Sequence, residues 1–210
     1  MAYPTVDAPY GLKPVNLIGG LPFAGATRQI PIGSNYGTAI YNGDVVQLNS
    51  SGNVIITTLQ NDSSAVAGVI GVFLGCSYTD PVSKQKLFSQ YYPGGVVASD
   101  IVAYVCDDPN ALFKVVSVTS NVADNAAGGL LPAFVSRANS FGTNAELVLN
   151  TGLSNTGDSR MGVFINNVTT SLPFRVVDVV ADTANSSGDF VEVIVKFNAG
   201  YHAYNNASGT

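Results

Sequence analysis

Charge is what this sequence has least of. Lys, Arg, Asp and Glu together make up 11% of the 210 residues, against about 25% in ordinary soluble domains. A monomer that lives free in solution normally uses these side chains to keep its neighbours away. Asn, Ser and Thr supply most of the polarity instead, a composition suited to a surface that other subunits cover. The nine basic residues are scattered, only Lys84 and Lys86 lying close together, and the net charge is −5. No basic patch is available to neutralise phosphates, so nucleic acid is not expected as a partner.

Other absences exclude more. The chain has one histidine, His202, and two cysteines, Cys76 and Cys106. Ser-His and Cys-His catalytic arrangements therefore have a single possible centre, eight residues from the last residue of the sequence and between tyrosines. Two cysteines and one histidine cannot complete a tetrahedral zinc site without carboxylates. Asp107 with Asp108, and Asp178 with Asp182, read as turn and capping carboxylates, since no EF-hand spacing accompanies them. The cysteines lie in apolar strand-like segments and read as buried, reduced thiols. No catalytic, metal-binding or cofactor-binding residue is expected, and no cofactor.

Long apolar runs are missing as well. The segment from Val66 to Leu74 is short and broken by glycine, so no membrane-spanning helix is expected. The first residues carry neither a basic nor an apolar signal region, which makes assembly in a host cytoplasm the expectation. Helical periodicity is nearly absent.

What the sequence does contain is strand signal. Val191, Val193, Val195 and Phe197 alternate onto one face, and Phe174 to Val180 precedes them across a turn cluster at Asn185 to Gly188, which reads as a hairpin. Further strands are expected at 28–32, 44–48, 53–58, 66–74, 100–105, 113–118, 145–149 and 161–165. Asp80-Pro81 and Asp108-Pro109 each start a single turn. Gly68, Gly71 and Gly75 stand in a β-branched run that opens no helix, so they mark bulges or close backbone approach, not a phosphate cradle. The expected fold is all-β: a β-sandwich or β-barrel-like body with an extended Pro-rich N-terminal arm and only short helical turns.

The arm is residues 1–25, and the body is residues 26–210, with any sub-boundary inside the Gly-, Asn- and Ala-rich stretch 119–160. Four prolines, Pro4, Pro9, Pro14 and Pro22, forbid helix and central strand. Tyr3, Val6, Tyr10, Leu12, Val15, Leu17 and Ile18 between them are too apolar for a solvated linker. Such a chain lies along a surface, either a neighbouring subunit's, the preferred reading, or its own. The C-terminal aromatic cluster Tyr201, His202 and Tyr204 joins this expected subunit interface, because termini fray unless something holds them. Tyr91 and Tyr92, beside Pro93, read as contact or packing residues before ligand-stacking ones.

Several stretches resemble a known group. The opening Ala2-Tyr3-Pro4, with Tyr10-Gly11-Leu12-Lys13-Pro14-Val15 running on to Gly20, looks like the start of small virion structural proteins of tailed bacteriophages. Gly43-Asp44-Val45-Val46-Gln47-Leu48, then Gly52-Asn53-Val54 and Ala67 to Gly75, is similar to the strand–turn–strand pattern of phage head decoration, or cement, proteins. Asp107 to Val115 and the closing stretch from Val193 to His202 continue the likeness. The resemblance implies a subunit bound outside a shell of major capsid protein, itself a dimer or trimer, with no catalytic residues and a place on the virion surface. Another virion structural role, as minor capsid, head–tail or fibre-base component, shares these features. A carbohydrate-binding or adhesin-like β module shares the composition.

Overall fold

The computed structural model describes residues 6–59, 68–119, 130–165, 171–184 and 190–207. Among them, β-branched and aromatic runs form twelve strands: β1 Lys13–Leu17, β2 Arg28–Pro31, β3 Val45–Leu48, β4 Val54–Ile56, β5 Val69–Thr79, β6 Lys86–Ser89, β7 Val102–Cys106, β8 Ala111–Ser117, β9 Asn144–Val148, β10 Gly162–Ile165, β11 Phe174–Val179 and β12 Val191–Phe197. One short helix, α1 Arg137–Ser140, and two 3-10 turns interrupt them. The fold is all-β.

Five strands close into a barrel in the order β8-β10-β9-β11-β12, the ring completed by pairing of β12 with β8. An odd number of strands cannot close with every neighbour antiparallel. The seam is the parallel contact of β10 with β8, a single pair, Val163 with Ser117. β1 lies antiparallel on the same edge of β8, farther back, pairing Lys13 with Lys114 and Leu17 with Ala111. β1 contains Pro14, and the register shifts between Pro14 and Asn16. Proline lacks an N–H for the ladder, and an edge position with a bulge is where a strand tolerates that.

The second sheet runs β2-β7-β5-β3-β4, with β6 on the far half of β5. β5 is the long central strand, and both of its faces are buried. It bends at two glycines. Gly71 has φ +149, and a Cβ there would run into the backbone carbonyl of Cys106 on β7. The registers with β3 and with β7 slip beside Gly71 and Gly75. These are the bulge and close-approach roles that their setting in the sequence predicts.

The barrel is filled by alternate residues of its strands. Val191, Val193, Val195 and Phe197 all point inward, with Phe113, Leu147, Val163 and Phe174 opposite. Phe197 packs edge-on against Phe113 at 5.6 Å and tilted against Phe174 at 4.8 Å. The same cluster continues through Val45, Val69, Val72 and Cys106 of the second sheet, so one face of that sheet and the barrel share a core. The other face holds a separate cluster that includes Ile40, Ile70, Phe73, Tyr92 and Val105. The expected hairpin of β11 and β12 forms with Phe174 opposite Phe197; its turn at 185–189 lies outside the described residues.

Candidate functional site

The residues expected at a subunit interface fall into three groups. Tyr3 and Pro4 lie outside the described residues. A second group faces the chain's own body. Leu12 is fully buried in the barrel core, and its N–H donates to the Gly43 carbonyl at 2.9 Å. Pro9 is buried, and half-buried Val6 and Tyr10 pack on a satellite cluster of Val116, Val118, Leu130, Val148 and Phe190. The Tyr10 hydroxyl donates to Glu192, which also pairs with Lys114 at 2.9 Å. Burial and that carboxylate push the Tyr10 phenol well above its usual range. Pro14, Val15 and Leu17 are half-buried along β1. Of the eleven that are described, only Ile18 and Tyr204 are exposed, each about half.

The C-terminal aromatics are held by the same chain. Tyr201 is buried, and its hydroxyl donates to the Ser171 carbonyl at 2.9 Å. His202 is fully buried against Phe197, and its Nδ1 accepts the Tyr204 N–H at 3.3 Å. Tyr204 donates to Asp107, which also pairs with Arg28. These contacts tie Tyr201, His202 and Tyr204 to the chain's own body. The other tyrosine candidates pack too. Tyr92 is buried with its hydroxyl donating to the Tyr36 carbonyl, and Tyr91 stacks on Tyr41 at 5.5 Å.

Exposed apolar surface lies elsewhere. From Pro14 to Thr27 the chain carries no charged residue for fourteen positions. Within that stretch a tight turn follows β1: Gly20 N–H donates to Leu17 O at 2.9 Å and Leu17 N–H to Leu21 O at 2.8 Å. Ile18 N–H donates to Asn110 O at 3.0 Å, which anchors the turn on the loop between β7 and β8. The turn therefore presents Ile18 and Leu21, 52% and 64% exposed, from a fixed base. A second exposed group, Val82, Phe88 and Val97, lies around the β5–β6 turn and on the edge strand β6. Lone exposed aliphatics are ordinary on a protein surface; pairs on a braced, uncharged turn are not.

One cleft has polar groups of its own. It holds about 340 Å³ and is lined by Thr38, Ala39, Tyr41, Asp44, Ile56, Leu149, Asn150, Thr151, Gly152 and Met161. Gly152 leaves room that a side chain would take, since a Cβ there would run into the Tyr41 ring. Asp44, just before β3, is 1% exposed. Its Oδ2 accepts the Tyr41 N–H at 2.8 Å, and the carboxyl also takes a hydrogen bond from the Ser159 hydroxyl. Burial raises its pKa to about 6, against the opposing pull of the Ser159 hydroxyl, the Tyr41 N–H and Lys13. Asn150, just after β9, accepts the Thr151 N–H on Oδ1 at 2.9 Å, and its buried Nδ2 donates to nothing. No pattern in the sequence joins Asp44 to Asn150; only the packing of the second sheet against the barrel brings them to one cleft.

Among the described residues no cluster of three or more His, Cys, Asp or Glu side chains could hold a metal ion. Of the four carboxylates read as turn and capping groups, Asp107 pairs with Arg28 and Tyr204, Asp178 with Arg137, and Asp108 with the Asn110 N–H. No helix among the described residues is long and apolar enough to cross a membrane. No protein-family profile matches the chain, and neither a curated protein nor a solved structure matches it.

Proposed function

We propose that this chain is a capsid decoration protein of a tailed phage, which binds the outside of the head and adds contact between major capsid subunits. The observation that carries the reading is the braced turn presenting Ile18 and Leu21 within fourteen uncharged residues. The resemblance of the opening segment, of the β3–β5 region and of the closing strand to head decoration proteins supports it. So does the low overall charge.

The physical logic is additive. Each square ångström of apolar surface covered contributes about 25 cal/mol, and ordering a loose segment offsets much of that gain. A turn already fixed by its own hydrogen bonds loses less on binding. Repetition over a capsid lattice then multiplies a modest gain at each site. A filled head pushes outward, and subunits bridged across their seams resist that push.

The test is co-sedimentation with purified heads that lack the protein. The intact chain is expected to pellet with heads at saturable stoichiometry. The Ile18→Asp, Leu21→Asp double variant is expected to stay in the supernatant with an unchanged circular dichroism spectrum. Unchanged binding by the variant removes the turn from the interface. Failure of the intact chain to bind overturns the decoration reading.

A further inference from the structure

The chain entering β1 and the chain entering β3 approach each other closely. Leu12 N–H donates to the Gly43 carbonyl at 2.9 Å. Gly43, at φ +99, lies so near Tyr10, Gly11 and Leu12 that an added Cβ would crowd their backbone, and a Cβ on Gly11 would run into Ser159. A third segment joins them. Asn42 N–H donates to the Gly157 carbonyl and Ser159 N–H to the Asn42 carbonyl, each at 3.0 Å, which bridges Asn42 to Asp158. Three backbones fixed in this way bring three partly buried side chains to one point. Lys13 Nζ donates to Asn42 Oδ1 at 2.5 Å and to Asp158 Oδ1 at 3.1 Å. Asn42 Nδ2 donates to the Leu74 carbonyl at 2.7 Å, which fixes the end of the amide that faces the lysine.

We propose that Lys13 and Asn42 join in an intramolecular isopeptide bond, with Asp158 carrying the protons. Asn42 Cγ stands one bond beyond Oδ1, which puts it roughly 3–3.5 Å from Nζ, the range of a near-attack contact. Asp158 takes one proton from the Lys13 ammonium, and the freed lone pair attacks Cγ. The Nζ–Cγ bond forms while the carbonyl electron pair moves onto Oδ1. Asp158 then hands its proton to Nδ2, the Cγ–Nδ2 bond breaks with its electron pair, and the carbonyl re-forms. Of the three Nζ hydrogens, one stays on the new amide and two depart with Nδ2 as ammonium. Nothing is oxidised or reduced. An asparagine before glycine has a competing nucleophile in the next backbone nitrogen, but Gly43 N–H is tied to the Phe73 carbonyl at 2.8 Å. The bond closes a covalent loop from residue 13 to residue 42 that contains the Ile18–Leu21 turn and β2, so β1 cannot peel from the body under load.

The experiment is intact-mass spectrometry of the full chain, which is expected to weigh less than its sequence by one ammonia. Trypsin cuts after Arg28 but not between Lys13 and Pro14. The peptide ending at Arg28 and the peptide from Gln29 to Lys84 are therefore expected to stay joined as one branched species, with the link placed at Lys13 and Asn42 by fragmentation. Lys13→Arg keeps a cation for Asp158 but cannot form the bond, and Asp158→Asn keeps the shape without the proton carrier. Both are expected to show the full sequence mass, an unchanged circular dichroism spectrum and a lower unfolding temperature. Ammonia loss that persists in Lys13→Arg assigns it to a succinimide at Asn42 and Gly43 and overturns the proposal. Loss of one water, which marks an amide between Lys13 and Asp158, overturns it too. The parent chain decides the matter even where a variant does not fold: full sequence mass with two separate tryptic peptides means that no bond forms.

Discussion

Asp44 lines the cleft with the Tyr41 N–H on one carboxylate oxygen and a pKa raised by burial to about 6. A carboxyl whose pKa is higher folded than unfolded contributes stability that is fully present below its unfolded value, near 3.8, and lost as pH rises through about 6. Asp44→Asn removes that loss. It is expected to be more stable than the parent at pH 8, by up to about 3 kcal/mol, and close to it at pH 4; urea unfolding at the two pH values reads the difference. An equal effect at both would mean that the carboxyl does not titrate in its buried setting. His202 works with the opposite sign. Burial holds its imidazole below the usual value of 6.5, against the pull of Asp107 and the Ile70 carbonyl. Its contribution is complete above pH 6.5 and is lost as pH falls through the depressed folded value. Burial also pushes the thiols up, Cys76 to about 12 and Cys106 to about 11. Thiolate is the reactive form, so neither cysteine is expected to react with Ellman's reagent in the folded chain, and both are expected to react within minutes in urea. Rapid reaction of the folded chain would contradict the burial.

At the scale of elements, β5 bears the most consequence, because barrel and second sheet both pack on it. Gly71→Ala places a methyl group against the Cys106 carbonyl at a backbone angle that L-residues rarely adopt, and is expected to abolish soluble folded expression. Gly142→Ala, also at positive φ but with open space around the added carbon, is expected to cost only the backbone strain, about 1 kcal/mol. Comparable stability of the two would disprove the close approach. Most strands were legible from alternation, β12 and β11 above all, because the inward residues of a closed barrel must recur every second position. β1 was hidden by Pro14, which argues against a strand and is admitted at the edge only through the bulge before Asn16. β6 was hidden by its mixed Lys-Leu-Phe-Ser composition. For the terminal apolar residues the sequence leaves the covered surface open, because a sticky segment reads alike whether it covers a neighbour or its own core. Leu12, Tyr201 and His202 occupy the core. Deleting residues 2 to about 20 would therefore remove a core side chain and a strand, so it is not a clean test of binding. The truncated chain is expected to unfold at lower temperature than the parent.

On the scale of the whole molecule, a β body with little charge and a braced apolar turn suits a role that depends on contact. The turn was not legible, since Ile18 counted as one of seven apolar residues of an expected extended arm and Leu21 gained meaning only once its exposure was known. The cleft could not be read at all, because Asp44 and Asn150, which both line it, come from segments more than a hundred residues apart in sequence. The most direct measurement is the copy number and position of this chain in purified virions, by quantitative mass spectrometry together with a particle reconstruction. A decoration protein is expected in hundreds of copies, in a simple ratio to the major capsid protein, with density on the outer shell and the Ile18–Leu21 turn facing it. A dozen copies or fewer, or density confined to the neck or tail, would contradict that role.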